Sequence, residues 1–215
     1  MAYSSEMPPI AMFNALWFSN GDPSLYSKYA EAVMPLIAHA GADVLFPPLP
    51  VDEALEGEFH PDLAFFIRYP SQEAFDKMWN SDAYRDVASL RTNGLDRSVL
   101  TQCAIEPADA EPVLISTGIA VINMLWFHPG GRDRYEEYLT AARPHVEAVG
   151  GRYVKPRFIP ERAIEGDCKP DLIFIGWYPS REALHSLIAN PDYLEVAQIR
   201  SDAVLRSTTA TLRAP

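Results

Sequence analysis

The residues best suited to proton transfer at neutral pH are histidines, because the imidazole pKa lies close to that range. The chain has five of them, and two lie where a reaction could use them. His145 falls near the edge of an apolar helical stripe, so it faces the protein interior at least in part. His128 follows an apolar strand, at the expected mouth of a pocket. We predict both as candidate general acids or bases, and an ordinary half-buried, hydrogen-bonded histidine is the alternative for His145.

A second set of residues could bind and orient a small molecule. Two asparagines lie within apolar strands, where each amide must bond to a ligand, the backbone or buried water. Three tryptophans offer flat apolar surface, although aromatic residues also fill cores for their area alone. Two arginines could receive a carboxylate, or could instead form ion pairs or protect a strand edge from aggregation. The predicted substrate-binding residues are Asn14, Trp17, Arg68, Asn123, Trp126, Arg157 and Trp177.

Motifs that would name a reaction are absent from the sequence. There is no GxxxxGK[ST] or GxGxxG loop for a nucleotide, and no GxSxG turn for a hydrolase serine. CxxC, HExxH and HxH are also missing, and the histidines are dispersed. We therefore predict neither a metal site nor a cofactor.

The elements that position these residues occur twice. PDLAFFIRYPSQEA at 61–74 returns as PDLIFIGWYPSREA at 170–183, which is 109 residues later (170 − 61). The same offset aligns the asparagines, two of the tryptophans and Arg91 with Arg200, without a gap. Because an ungapped match of this length indicates duplication, we expect two domains, 1–110 and 111–215. The aligned residue of His145 is Leu36, and that of Arg68 is Trp177.

Each repeat is predicted to form, in order, a strand, a helix, a short strand, a loop, a buried strand, two short helices and a last strand. The central strands LAFFIRY and LIFIGWY are apolar on both faces, so both of their faces should be covered. The order βαββαβ is the ferredoxin-like arrangement. We predict an α+β fold in which two such repeats pack sheet to sheet as a pseudo-dimeric α/β barrel. For the first repeat the predicted bounds are strands 10–18, 43–46, 63–69 and 97–104, a helix with Asp22 as its N-cap and Pro23 as its first residue, and helices capped by Ser71 and Ser81. The second repeat is predicted to have the same elements, including a strand at 152–155 and helices capped by Ser180 and Asn190.

One further pair of residues is interpreted as structural. Arg91 and Arg200 are equivalent in the two repeats and are expected to tie the last helix to a carboxylate, with Asp62 and Asp171 as the proposed partners.

Composition limits the partners. A formal net charge of −11 argues against nucleic acid and anionic membranes, which require clustered lysine and arginine. The N-terminus lacks the features of a secretory signal, no apolar run is long enough to span a membrane, and two unaligned cysteines suggest no disulfide framework. We expect a cytoplasmic protein that is a monomer or weak homodimer, since the repeat supplies the contact that two subunits would otherwise make.

Several stretches of the second repeat resemble a known family. VGGRYVKP, the Tyr-Pro-Ser turn, NPDY and the later Arg200 are similar to DUF1330-type domains of the dimeric α/β-barrel superfamily. The first repeat departs from this pattern, with Gly-Ala-Asp at 41–43 in place of Gly-Gly-Arg. The resemblance implies a cavity beside each sheet. The superfamily includes cofactor-free and haem-degrading monooxygenases, isomerases and dehydratases, so it implies no single reaction.

Two functions follow as hypotheses. The first is a small cofactor-independent enzyme, of isomerase, lyase or cyclase, or monooxygenase type, acting on an apolar or aromatic molecule between sheet and helices. The second is a non-catalytic module for small-molecule binding or assembly.

Overall fold

The structure is a computed structural model, and it describes residues 7–107, 109–111 and 114–214. The first repeat forms β1 (Ile10–Phe18), α1 (Ser24–His39), β2 (Asp43–Glu56), β3 (Leu63–Tyr69), α2 (Gln72–Trp79), α3 (Asp82–Asn93) and β4 (Leu95–Glu106). The second forms β5 (Ile119–Phe127), α4 (Gly131–Ala148), β6 (Arg152–Glu165), β7 (Leu172–Tyr178), α5 (Arg181–Ile188), α6 (Pro191–Ala203) and β8 (Val204–Arg213).

The strands hydrogen-bond in the order β1-β3-β2-β8-β5-β7-β6-β4, and β4 pairs with β1, so the sheet closes. The described residues fall into two compact units, and each unit includes a segment of the other repeat. The first unit lies within residues 1–48, 61–113 and 160–169, and the second within 49–60, 114–159 and 170–215. We call 49–60 and 160–169 the exchanged segments. The α+β class and the two-repeat α/β-barrel architecture are confirmed.

Each unit places its helices on one face of its strands. In the first unit, Met12 and Leu16 of β1 alternate with Phe13 and Ala15, so that the former pack against the helices. The aromatic and aliphatic face of α1 meets them, and its buried members are Tyr26, Tyr29, Val33 and Ile37. In the second unit, Tyr135, Tyr138, Ala142 and Val146 of α4 hold the equivalent positions.

The second strand of each repeat is longer than predicted. We expected strands 43–46 and 152–155 followed by a loop, whereas β2 and β6 continue to Glu56 and Glu165. The prolines in these segments suggested a loop, but a strand tolerates proline where the ladder does not need its N–H. The pairing is accordingly irregular, with register shifts between Val51 and Glu53 and between Val154 and Phe158.

Most predicted helix starts are confirmed. Ser71, Ser81 and Ser180 accept hydrogen bonds from the backbone N–H groups of Ala74, Tyr84 and Ala183, and Asn190 caps the helix that begins at Pro191. The start of α1 differs, because Asp22 accepts from the N–H of Ser24 and leaves Pro23 as the residue before the helix. Among the described residues, no helix is both long and apolar enough to cross a membrane.

Candidate ligand-binding site

Each unit contains a cavity between its helices and its sheet. The first-unit cavity measures about 390 Å³ and the second-unit cavity about 400 Å³. Both lie within the usual range of small-molecule pockets, ~300–1,000 Å³. The cavities occupy equivalent places, because the strand asparagines, the tyrosines of α1 and α4, and the arginines of α3 and α6 line both.

The first-unit cavity is almost wholly apolar. Met12, Phe65 and Ile67 form its floor on the sheet, while Val33 of α1 and Met78 of α2 belong to its walls. Among the described lining residues, the one charged side chain is that of Arg91. The cavity therefore suits a molecule with a large apolar body and few polar groups.

Arg91 of α3 is 6% exposed. Its Nη1 donates to Oε2 of Glu165, and the Ser98 hydroxyl donates to the same oxygen at 2.7 Å. Its Nη2 has no hydrogen-bond partner among the described residues. Burial by itself would lower the pKa of Arg91, but the Glu165 carboxylate raises it overall, so the guanidinium stays charged.

Four tyrosines line the same cavity, and three of them, Tyr26, Tyr29 and Tyr84, lie near Arg91. The hydroxyls of Tyr29 and Tyr84 lie 3.5 Å apart, and Tyr26 stacks at an angle on Tyr29 with ring centroids 5.4 Å apart. Burial raises the pKa of all three phenols. They are therefore neutral hydrogen-bonding groups at neutral pH and not bases.

The second-unit cavity is more polar. Arg200 donates to both oxygens of Glu56, at 3.0 and 2.5 Å, and the hydroxyls of Ser207 and Thr209 donate to Oε2 of the same carboxylate. At three aligned positions of the lining, the second unit has Gly176, Tyr153 and Thr209 where the first unit has Ile67, Val44 and Leu100. The buried hydroxyl of Tyr153 has no hydrogen-bond partner among the described residues.

The partners of the two arginines correct the sequence interpretation. Arg91 pairs with Glu165 and Arg200 with Glu56, whereas Asp62 and Asp171 accept hydrogen bonds from the N–H groups of Phe18 and Phe127. The expectation was wrong because Glu56 and Glu165 were assigned to loops. The exchanged segments carry both glutamates, so each unit obtains its carboxylate from the other repeat.

The two predicted asparagines line the cavities. The Asn14 amide donates to the carbonyl of Met12 at 3.0 Å, and the Asn123 amide donates to the carbonyl of Val121 at 3.2 Å. The Asn123 side-chain oxygen lies 3.4 Å from the Thr209 hydroxyl, whose single proton it shares with Glu56. Both amides thus present partly satisfied groups to a ligand.

The other predicted binding residues lie outside the lining of the two cavities. The three tryptophans each carry an arginine guanidinium over the indole ring, which gives the pairs Trp17–Arg97, Trp126–Arg206 and Trp177–Arg152, at 4.3, 3.6 and 4.5 Å. Such contacts stabilise the surface by cation–π attraction.

The two predicted arginines are engaged in ion pairs. Arg68 makes two hydrogen bonds to Asp43, at 2.9 and 2.8 Å, and a third to the carbonyl of Ala110. Arg157 donates to both oxygens of Glu136, at 2.6 and 2.8 Å.

The predicted histidines lie apart from each other. His145 is half-buried, with its ring centroid 6.2 Å from that of Tyr193, a residue that lines the second-unit cavity. His128 is exposed in a shallow depression shared with Arg132 and Asp171. Their role as acids or bases stays a prediction. Within the part of the chain that the structure describes, no group of three or more potential metal ligands comes together.

Sequence reasoning missed the glutamates that complete the two sites. A signal was present, because Ala54-Leu55-Glu56-Gly57 aligns with Ala163-Ile164-Glu165-Gly166. Both glycines have positive φ, and a Cβ at either would lie 2.8 Å from a backbone oxygen: that of Ser207 in β8 for Gly57, and that of Ser98 in β4 for Gly166. Because glycine adopts positive φ most readily, its recurrence directly after each glutamate indicated that the two repeats share a backbone conformation at this point.

The comparisons with known proteins agree with this architecture. The chain matches the family described as Domain of unknown function (DUF1330) over residues 17–102 and 127–211, and it belongs to that family. No curated protein matches the sequence.

Solved structures share the fold at low sequence identity. An anthrone oxidase-like protein is 14% identical, with a TM-score of 0.59, and the match covers 98% of this chain and 92% of that one. A mutant chlorite dismutase from Candidatus Nitrospira defluvii is 14% identical, with a TM-score of 0.58, covering 97% and 92% of the two chains. At this identity the likeness establishes the fold alone.

Proposed function

We propose that the protein binds a small, largely apolar or aromatic organic molecule in the first-unit cavity. The observation that carries the proposal is an apolar cavity of about 390 Å³ with one charged group in its described lining. The mouth of this cavity is accessible from solvent, because the lining residues Pro23 and Ser27 are exposed and Met34 is 47% exposed. A preformed apolar cavity with a few polar groups is the usual form of a binding site.

The proposal can be tested by filling the first-unit cavity with a larger side chain and measuring the binding of an apolar probe. N-phenyl-1-naphthylamine is a neutral apolar probe whose fluorescence rises on binding. Ala30 lines the cavity on α1 and is only partly buried, so Ala30→Trp should occupy the space without overpacking. We expect the variant to weaken probe binding roughly tenfold or more, since it removes the apolar area that the probe would cover.

The matched control fills the other cavity. Gly176→Ile introduces the residue that the first repeat carries at the equivalent position, Ile67. The new Cβ would meet the Tyr178 ring at an ordinary contact distance of 3.4 Å. Full probe affinity in Ala30→Trp, with loss in Gly176→Ile, would move the proposed site to the second unit.

A second candidate function is that of a cofactor-independent enzyme working in the second unit. It is supported by the polar groups of that cavity, namely Asn123, the unpartnered Tyr153 hydroxyl and the Tyr138–Tyr193 hydroxyl pair at 2.7 Å, with His145 beside Tyr193. Donors of this kind can stabilise an enolate or similar oxyanion.

The anthrone oxidase-like neighbour suggests a first substrate for this second candidate. Oxidation of anthrone consumes one O₂ and gives anthraquinone and one water, a change that is visible by absorbance. If His145 takes the proton, His145→Leu should lower the rate roughly 10²–10⁴-fold. Its melting temperature should stay nearly unchanged, because the first repeat carries Leu36 there. Equal rates with and without the protein would remove this candidate.

A further inference from the structure

The orphaned nitrogen of Arg91 defines the ligand more closely. This side chain is 6% exposed, lines the first-unit cavity, and leaves Nη2 without a partner in the described part of the chain. A buried donor without a partner carries a desolvation cost, so an acceptor that arrives with a ligand would recover it. The group is therefore a built anchor for one oxygen atom of the bound molecule.

The equivalent arginine shows that the orphan is specific to the first unit. Both Nη atoms of Arg200 donate to Glu56, and no buried nitrogen of Arg200 lacks a partner among the described residues. In the first unit, by contrast, Glu165 accepts from Nη1 of Arg91 and from Ser98. Leu100 replaces Thr209 there, so one fewer hydroxyl surrounds the carboxylate.

The charges around the cavity determine whether the ligand oxygen that bonds to Arg91 is neutral or anionic. Glu165 already neutralises the Arg91 guanidinium, and burial keeps the nearby phenols of Tyr29 and Tyr84 protonated. No other described residue lining the cavity is charged. An anionic ligand would bring a second negative charge beside one cation in an apolar site, and a buried charge is strongly unfavourable unless a further cation pairs with it. A neutral carbonyl accepts the same hydrogen bond without that cost.

We propose that the first-unit cavity selects aromatic molecules bearing a neutral carbonyl, such as a ketone or quinone, whose oxygen accepts a hydrogen bond from Nη2 of Arg91. This inference rests on the proposed function of the same cavity, and it adds the polar group that the ligand carries and the atom that recognises it. The aromatic rings of the ligand would lie against Phe65 and Phe75, which line the cavity on the sheet and on α2.

Three rigid probes of one ring system separate the alternatives. Fluorene has no acceptor, 9-fluorenone has a neutral carbonyl, and fluorene-9-carboxylate has an anion. Their affinities are measured by isothermal titration calorimetry at pH 7 in the Gly176→Ile background, where the second-unit cavity is filled. A hydrogen bond from a charged donor should make fluorenone bind roughly 10- to 100-fold more tightly than fluorene. The carboxylate should bind more weakly than fluorenone.

A double variant then assigns the preference to Arg91. Arg91→Met with Glu165→Gln removes the donor and its counter-charge together, so no buried charge is left unpaired. It should abolish the preference for fluorenone, measured as the ratio of the fluorenone and fluorene affinities within the variant. The control, Arg68→Met with Asp43→Asn, removes an ion pair of the same unit that lies outside the cavity lining, and should keep the preference.

Each other outcome overturns the inference in a distinct way. Equal affinities for fluorene and fluorenone would show that Nη2 anchors no ligand. Tightest binding of the carboxylate would refute the neutral carbonyl. A fluorenone preference that survives in the double variant would exclude Arg91. Binding of none of the three probes would remove the proposed function itself. The comparison of ligands does not need the double variant, so poor folding of that variant would not affect it.

Discussion

At the scale of single residues, one substitution between the repeats is compensated by its neighbour. Arg68 in the first repeat is replaced by Trp177 in the second, and its partner Asp43 is replaced by Arg152. The first unit therefore holds a bidentate ion pair, and the second a guanidinium 4.5 Å above an indole ring. In both units an arginine at the same place has a favourable partner. The arginine lies on β3 in the first unit and on β6 in the second.

This compensation predicts that the pair can be exchanged as a unit. Asp43→Arg alone would place two guanidiniums side by side, and Arg68→Trp alone would leave the Asp43 carboxylate without its partner. Each should destabilise the protein by roughly 1–2 kcal/mol. The double variant recreates the second repeat's arrangement and should recover most of that loss, as measured by urea unfolding in a double-mutant cycle. Additive single losses would show that the two positions are independent.

A second residue-scale prediction concerns the Glu56 carboxylate. Burial would raise the pKa of Glu56, but the hydrogen bonds from Arg200, Ser207 and Thr209 outweigh it and lower the pKa below its usual value. A depressed pKa means that the folded state favours the ionised form, so this stabilisation is complete above about pH 5 and is lost as the pH falls through the folded pKa.

Glu56→Gln should therefore lower the free energy of unfolding at pH 7 by roughly 1–3 kcal/mol. The difference from the wild type should shrink progressively as the pH falls below about 4.3, because the unfolded carboxyl then binds a proton that the folded carboxylate still resists. Glu58→Gln, at an exposed position of the same exchanged segment, serves as the control. A stability difference that stays constant from pH 7 to pH 3 would contradict the ionised pair.

At this scale, the contacts that could be predicted from the sequence were those that alignment of the two repeats shows. The exchange of Arg68 for Trp177 was visible as a difference, and the accompanying change from Asp43 to Arg152 completes it. The orphaned atom of Arg91 could not be predicted. It arises from which nitrogen faces Glu165, and that depends on how β6 approaches α3 in three dimensions.

At the scale of elements, local signals predicted the buried strands and most of the helix caps correctly, the start of α1 being the exception. β1 and β3 begin and end where the apolar runs do, because hydrophobic patterning and flanking turn residues act locally. β2 and β6 were shortened because prolines argued against a strand. Their later halves are set by non-local partners: β2 pairs with β8 from Val51 to Glu56. Such pairing leaves little trace in the segment itself.

The caps give an element-scale prediction. Ser71 and Ser180 each accept a hydrogen bond of 3.2 Å from the N–H three residues later, at the starts of α2 and α5. Replacing either serine by alanine removes that acceptor and should lower the free energy of unfolding by ~0.5–2 kcal/mol. Aspartate keeps an acceptor and favours the helix N-terminus, so Ser71→Asp and Ser180→Asp should be nearly neutral in chemical denaturation. Equal losses for alanine and aspartate would mean that the hydroxyl does not act as a cap.

At the scale of the whole molecule, the exchanged segments make the two repeats interdependent. In the first unit, segment 160–169 supplies Glu165 to Arg91 and the Cys168 carbonyl that accepts the Thr101 hydroxyl at 2.8 Å. In the second unit, segment 49–60 supplies Glu56 to Arg200 and carries Asp52 and Glu53, which pair with Arg181. Each unit is thus completed by a segment of the other repeat, and we propose that the 215-residue chain needs no second copy and sediments as a monomer.

The same exchange predicts how one repeat would behave alone. A fragment of residues 1–110 keeps Arg91 but lacks Glu165. Its segment 49–60 packs in the second unit of the intact chain, and the fragment lacks the rest of that unit. Because Glu56 aligns with Glu165, a second copy can supply the missing carboxylate, and two fragments can complete each other reciprocally. We therefore expect the fragment to form a homodimer in sedimentation equilibrium. Glu56→Ala should weaken this dimer by roughly tenfold or more, since it removes both reciprocal ion pairs, whereas Glu58→Ala should not. A fragment that stays folded and monomeric at every concentration would show that the exchanged segment is dispensable.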